Sequence, residues 1–99
     1  MDKEQAIKKL IRYKELLSHH FDFEELILFG SFAKDTYCDD SDIDVAIVVN
    51  TFEGNYFDRV PLLWKLRRQI DNRIEPVLIE RENYQGGFLD EIKKYGIVI

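Results

Sequence analysis

Leu26-Ile27-Leu28-Phe29-Gly30-Ser31, then ten residues, then Asp42-Ile43-Asp44-Val45-Ala46-Ile47-Val48-Val49 is an apolar run, a polar loop and a second apolar run that opens on two acids. Side chains of a strand alternate between its faces, so Asp42 and Asp44 point the same way while Ile43 points into the core. Two like charges held side by side repel and reduce stability. Placing them at the mouth of a buried strand implies a divalent cation that neutralises them.

The sequence on either side of this segment supplies a scaffold. Residues 3–19 carry Ala6, Ile7, Leu10, Ile11 and Leu17 at helical spacing, which predicts an amphipathic helix. Strands are expected at 25–29 and 42–49, the second as a central strand because it is apolar nearly throughout after Asp44. Gly30 allows a sharp exit from the first, and Ser31 is expected to open a short helix through Ala33 or Lys34. Residues 35–41 read as loop, as do 50–55 with Gly54. A second amphipathic helix is expected over 58–71 on Val60, Leu63, Leu66 or Arg67, and Ile70, with Asp58 as N-cap and Pro61 tolerated in its first turn. Residues 73–79 read as a third strand. Pro76 cannot donate to a ladder, so that strand has one unpaired or distorted side. Gly86-Gly87 interrupt the chain, a short helix covers about 88–94, and residues 97–99 add a last strand. The order implies an α/β (α+β) fold, a small mixed β-sheet with helices packed on it, as a single domain over residues 1–99.

Composition narrows the function classes. The chain has 99 residues, 45% hydrophobic and 33% charged, which suits a globular domain with one modest core. No apolar stretch approaches the roughly 18 residues of a membrane span. The N-terminal Met1-Asp2-Lys3-Glu4-Gln5 has no apolar secretory core, and the single Cys38 cannot form an internal disulfide, so a cytoplasmic protein is expected. The net charge of -5 argues against stable nucleic-acid binding. Charge is unevenly spread: residues 21–58 hold ten acids and one base, whereas residues 59–81 hold six bases and three acids. The basic stretch suits phosphates, an acidic partner or simply solvent. His19 and His20 are adjacent on a helix and diverge, so they are read as surface residues at its end, not as metal ligands.

Gly30-Ser31, the spacer and Asp42-Ile43-Asp44 together resemble the signature of the nucleotidyltransferase superfamily that includes DNA polymerase β, and most closely its minimal nucleotidyltransferases. Ser31-Phe32-Ala33-Lys34 and Asp40-Ser41-Asp42-Ile43-Asp44 extend the match, which covers roughly residues 5–99. One departure is Asp35, where many relatives have Gly. Asp enters left-handed backbone angles more easily than most residues, so the turn is expected to survive. Two rival motifs fail. Asp40-Ser41-Asp42-Ile43-Asp44 begins like an EF-hand loop, but Val45 and Thr51 stand where Gly and Glu are needed. No Gly-Lys-Ser/Thr follows Gly30-Ser31, so it is not a P-loop.

The resemblance implies a polymerase β-like nucleotidyltransferase fold and its chemistry. Nucleotidyl transfer requires alignment and charge stabilisation more than covalent help. Asp42, Asp44 and a third acid on a neighbouring strand, Glu75, would be the catalytic and metal-binding residues. They would hold two Mg²⁺ ions about 3.5–4 Å apart. The family usually has Asp where this chain has Glu75, and Pro76 follows it. Gly30, Ser31 and Lys34 would hold the phosphates of a nucleoside triphosphate, ATP by expectation, on backbone N–H groups, the Ser31 hydroxyl and the Lys34 ammonium. Arg59 and Lys65 are further cationic candidates. Larger relatives carry an added domain for the acceptor. Here the acceptor site is expected to be shared with another molecule or a second copy. Minimal nucleotidyltransferases often pair with a small helical HEPN-type toxin, act as its antitoxin, and can transfer AMP to it. Phe52, Tyr56, Phe57 and Trp64 near the second strand would suit such a contact if exposed, although Trp64 is expected to pack in the core. Two other readings stay open: a non-catalytic nucleotide-binding antitoxin module, and an aminoglycoside-type small-molecule transferase completed by a homodimer.

Overall fold

Asp2 starts the first helix through a reciprocal cap. Its side chain accepts from the Gln5 backbone N–H at 2.8 Å, and the Gln5 side chain accepts from the Asp2 N–H at 2.9 Å. Helix α1 then runs Lys3–Ser18 and buries Ala6, Leu10, Tyr13 and Leu17. Ile11, expected on the buried face, is exposed, and Tyr13 takes that role. The Tyr13 hydroxyl donates to the Leu63 carbonyl at 2.8 Å, which satisfies its polar end, and burial pushes it above the usual tyrosine range. The structure, a computed structural model, describes residues 1–50, 56–81 and 87–99, with backbone only at 56–58. The expectations for Phe52, Gly54 and Gly86, and for the side chains of Tyr56, Phe57 and Asp58, lie outside the described residues.

Strands β1 (Glu25–Phe29), β2 (Ile43–Val49), β3 (Ile74–Glu80) and β4 (Ile97–Val98) form one mixed sheet in the order β3-β2-β1-β4. β1 lies antiparallel to β2 and to β4, while β2 and β3 are parallel. β2 is therefore central, as its apolar run predicts. β3 is an edge strand, which is where Pro76 is tolerated. The side chains of Ile43, Val45, Ile47 and Val49 pack with Leu26, Leu28, α1 and helix α2 (Tyr56–Leu66). The opposite face, with Ile27, Ala46, Val48 and Ile79, packs on Leu89 and Ile92 of helix α3 (Phe88–Tyr95). Each fully buried aliphatic side chain contributes roughly 1.5–3 kcal/mol. The five buried residues from Val45 to Val49 therefore outweigh repulsion between two acids at the strand mouth.

Five local expectations are corrected. Ser31 does not open a helix: residues 30–35 make a single turn, with Lys34 N–H bonded to the Gly30 carbonyl and Thr36 N–H to the Ser31 carbonyl. Asp35 ends that turn at φ 60°, the left-handed geometry expected of it, which stops propagation. α2 begins at Tyr56, so Asp58 lies inside the first turn and is not the N-cap, and Pro61 falls in the helix interior. The helix ends at Leu66 and tightens into a 3₁₀ turn over Arg67–Gln69, short of the expected residue 71. Trp64 points outward at 38% exposure, with the Arg67 guanidinium 4.4 Å from its ring, because Leu63 and Leu66 occupy the buried face. Among the described residues no helix is long and apolar enough to cross a membrane.

Candidate active site

Strand register brings the acids together. Asp44 on the central strand pairs with Phe29 of β1 on one side and with Glu75 of β3 on the other. Paired residues on adjacent strands present side chains to the same face about 5 Å apart. Asp42 sits just before β2, two residues from Asp44, and is exposed. The Ile43 N–H donates to the Arg73 carbonyl at 2.8 Å, so the entries to β2 and β3 are tied. That bond fixes Asp42 and Asp44 relative to Glu75.

The electrostatics match this crowding. Burial pushes the Asp44 carboxyl above its usual range, the Asp42 charge adds to the rise, and a hydrogen bond with Glu75 partly offsets it. Glu75 is also pushed up, first by desolvation, then by the Asp42 charge, then by hydrogen bonds with Asp42 and Asp44 that a proton on Glu75 supplies. Among the described residues the ion pairs use Glu4, Glu24, Glu25, Asp35 and Asp71, and none uses these three acids.

Gly30 closes the site from the β1 side. Its φ is +73°, and a Cβ there would overlap the Asp44 carboxylate. Glycine is therefore required twice, by the backbone angle and by the acid packed on it. The turn that follows carries Ser31, half-buried, and Lys34, whose ammonium lies 5.3 Å from the centroid of the Tyr95 ring. Gly30 and Lys34 line a cleft of about 200 Å³ together with Phe29, Phe88, Glu91, Ile92 and Tyr95. The sequence reading missed the α3 part of this wall. The signal was present: residues 88, 91, 92 and 95 fall at the i, i+3, i+4, i+7 spacing of one helix face.

Two cationic candidates fall elsewhere. Lys65 is on α2, which packs on the sheet face opposite Asp44. Arg59 lines a larger cleft of about 440 Å³ with His20, Phe21, Asp22, Phe23, Glu24, Val49 and Asn50. That cleft lies at the far end of β2, roughly 17 Å along the strand from Asp44. It contains neither the grouped acids nor the Gly30 turn, so its greater size does not make it the site. Cys38 is free and exposed in the loop before β2, where its backbone N–H donates to the Ser41 hydroxyl at 2.8 Å.

The family model for the polymerase β nucleotidyltransferase domain matches residues 12–99, a span that includes the Gly30 turn and all three acids. The chain belongs to that family. A protein of Methanocaldococcus jannaschii, named provisionally as a protein adenylyltransferase, is 30% identical over 80 residues, which is 77% of this chain and 78% of that one. A crystal structure from Sulfolobus solfataricus, described provisionally as a nucleotidyltransferase, superposes with a TM-score of 0.63 at 27% identity over 95% of this chain and 85% of that one. The small mixed sheet with helices on both faces is thus the family's fold, and nucleotidyl transfer is its activity at family level.

The donor set bears on a metal directly. Asp42, Asp44 and Glu75 offer only hard oxygen ligands, crowd one another, and make no ion pair among the described residues. Among those residues no group of three or more His, Cys, Asp or Glu side chains is placed to hold a metal ion, so the three acids as they stand do not form a three-ligand site. Mg²⁺ keeps several waters and uses one or two carboxylates plus substrate phosphates.

Proposed function

We propose that this chain is a Mg²⁺-dependent enzyme that transfers AMP from ATP to a hydroxyl group of a partner protein. The observation that carries the reading is the Asp44 carboxylate, seated on Gly30 and flanked by Asp42 and Glu75. It joins a turn suited to phosphates to a rim suited to a divalent cation.

In this reading the backbone N–H groups of the Gly30–Ser31 turn and the Ser31 hydroxyl hold the outer phosphates. Lys34 supplies positive charge beside them. Asp42, Asp44 and Glu75 would hold Mg²⁺, which when bound neutralises charge on the triphosphate and on the leaving pyrophosphate. Glu75, once its own proton is displaced when the site is charged with cation and substrate, would accept the proton of the attacking hydroxyl. The new bond joins the acceptor oxygen to the α-phosphorus, and the bond to pyrophosphate breaks. Transfer to a protein is supported by the relative named as a protein adenylyltransferase. By analogy with the minimal nucleotidyltransferases, we take the acceptor to be a tyrosine of a small helical HEPN-type toxin, with this chain as its antitoxin in the cytoplasm.

Incubating the chain with that partner, ATP and Mg²⁺, and weighing the intact partner, is the direct test. The expected gain is one or more AMP units, abolished by chelator and by Asp42→Asn. An unmodified partner that is silenced equally well by the Asp42→Asn protein would replace transfer with neutralisation by contact.

A further inference from the structure

We propose that the cleft between Phe29, Phe88 and Tyr95, opening onto Gly30 and Lys34, holds the purine base of the nucleoside triphosphate. The inference rests on the reading of the Gly30–Ser31 turn as the phosphate site. Three observations carry it. First, Gly30 and Lys34 belong both to that turn and to the wall of the cleft, so phosphate site and cleft are continuous. Second, the volume of about 200 Å³ is below the roughly 300–1,000 Å³ of sites for drug-sized molecules, and suits one flat ring system with the remainder of the ligand outside. Third, the walls are aromatic and open. Phe88 meets Phe29 edge-on, with centroids 5.9 Å apart and an interplanar angle of 87°, and Phe88 and Tyr95 are 43% and 52% exposed. The core uses only part of these two rings, which stand two helical turns apart with about half of their surface in solvent. They offer stacking faces that every base can use.

The cleft also explains the position of Lys34. Its ammonium lies against the Tyr95 ring, one turn beyond Ser31. A base that stacks on Tyr95 displaces that ammonium toward the phosphates, so base binding and charge delivery are coupled. Glu91 on the same wall supplies an acceptor for the exocyclic amine of adenine.

The test compares ATP with inorganic tripolyphosphate, both with Mg²⁺, by calorimetry on the intact chain. Stacking on an aromatic side chain contributes enough that ATP should bind roughly tenfold or more tightly than tripolyphosphate. Tyr95→Ala and Phe88→Ala should each remove most of that advantage, and Phe88→Ala, which does not touch Lys34, should leave tripolyphosphate affinity unchanged, which also reports that the site is folded. Tyr95→Phe should restore it. Equal affinity of the parent for the two ligands overturns the proposal. So does an ATP advantage that survives both alanine variants, because the base then lies elsewhere while the phosphate site stands. Alanine variants that keep the ATP advantage but lose transfer to the partner would overturn it too, and would assign the cleft to the acceptor. If neither ligand binds with Mg²⁺, the phosphate site itself fails and the base site fails with it.

Discussion

Asp71 and Glu75 stand four residues apart at the entry to one edge strand, and their surroundings are opposite. Asp71 accepts from the Arg73 backbone and guanidinium, the latter at 3.2 Å, and from the Lys9 ammonium of α1. The net effect of these hydrogen bonds and charges is to hold its carboxyl well below the usual range, despite burial that acts the other way. Glu75 faces two more acids and is pushed up. One acid is satisfied by protein cations and ties helix α1 to the turn that delivers β3. The others face one another, with hydrogen bonds through a Glu75 proton as their relief among the described residues. A fold that can place two cations on Asp71 does not lack the means to neutralise Glu75. The difference separates an acid paired with cations of the fold from acids that make no ion pair among the described residues.

The largest expected effect breaks that contrast on the site side. Asp44→Asn should lower transfer by at least ~10²–10³-fold, the scale seen when one electrostatic stabiliser of a transition state is removed. In metal-free buffer the same variant should melt at or slightly above the parent, because it removes one of the repelling charges. A thermal melt beside the intact-mass assay reads both. A melting point far below the parent would make Asp44 structural and erase the distinction from Asp71.

Asp71→Asn is the mirror experiment. Hydrogen bonds to charged groups contribute about 1.5–3 kcal/mol each, but Lys9 and Arg73 are 29% and 41% exposed, so solvent screening reduces the sum. A loss of about 2 kcal/mol is expected, which lowers the melting temperature by roughly 10 °C in a domain of this size. Affinity for Mg²⁺·ATP should change little at temperatures where the variant remains folded. An unchanged melting point would show that the Lys9–Asp71–Arg73 link is only a surface contact.

The two groups should also titrate in opposite senses. Asp71 has a depressed folded pKa, so its contribution is present above the unfolded value near ~3.9 and is lost as pH falls toward the folded one. Asp44 and Glu75 have raised folded pKa values, so they contribute below about pH 4 and lose that contribution as pH rises through the raised values. Denaturant melts against pH, without divalent metal, should show Asp71→Asn flattening the acid-side loss and Asp44→Asn reducing the loss on the other side.

How much of this was legible in the sequence follows from chain distance. Gly30, Asp42 and Asp44 lie within fifteen positions of one another, and strand alternation orients them without knowledge of the fold. Glu75 could be named from its apolar flank, but its register opposite Asp44 depends on the crossover through α2, whose ends the sequence misplaced. The Lys9–Asp71 link spans 62 residues, and the Phe29–Phe88 contact joins strand to helix across most of the chain. No local pattern marks either. Residue type alone suggests core for Trp64, whereas helix phase gives that face to Leu63 and Leu66.

Asp35 lies between the two extremes, and its substitution should have the smallest effect. It pairs with Lys3 at 3.1 Å, but its side chain is 68% exposed, so the pair contributes about 0–1 kcal/mol. Its backbone sits at φ 60°, where a residue with a Cβ loses up to ~1–2 kcal/mol and glycine does not. Asp35→Gly removes a weak pair and relieves a weak strain, and the two changes oppose each other. The melting temperature should therefore move by only a few degrees. Affinity for Mg²⁺·ATP should rise modestly, because a negative charge one residue from Lys34 disappears. A clear fall in nucleotide affinity would mean that the Lys3–Asp35 link positions the Gly30–Ser31 turn. Asp35 would then belong with Asp71, as a structural acid held by a cation from α1.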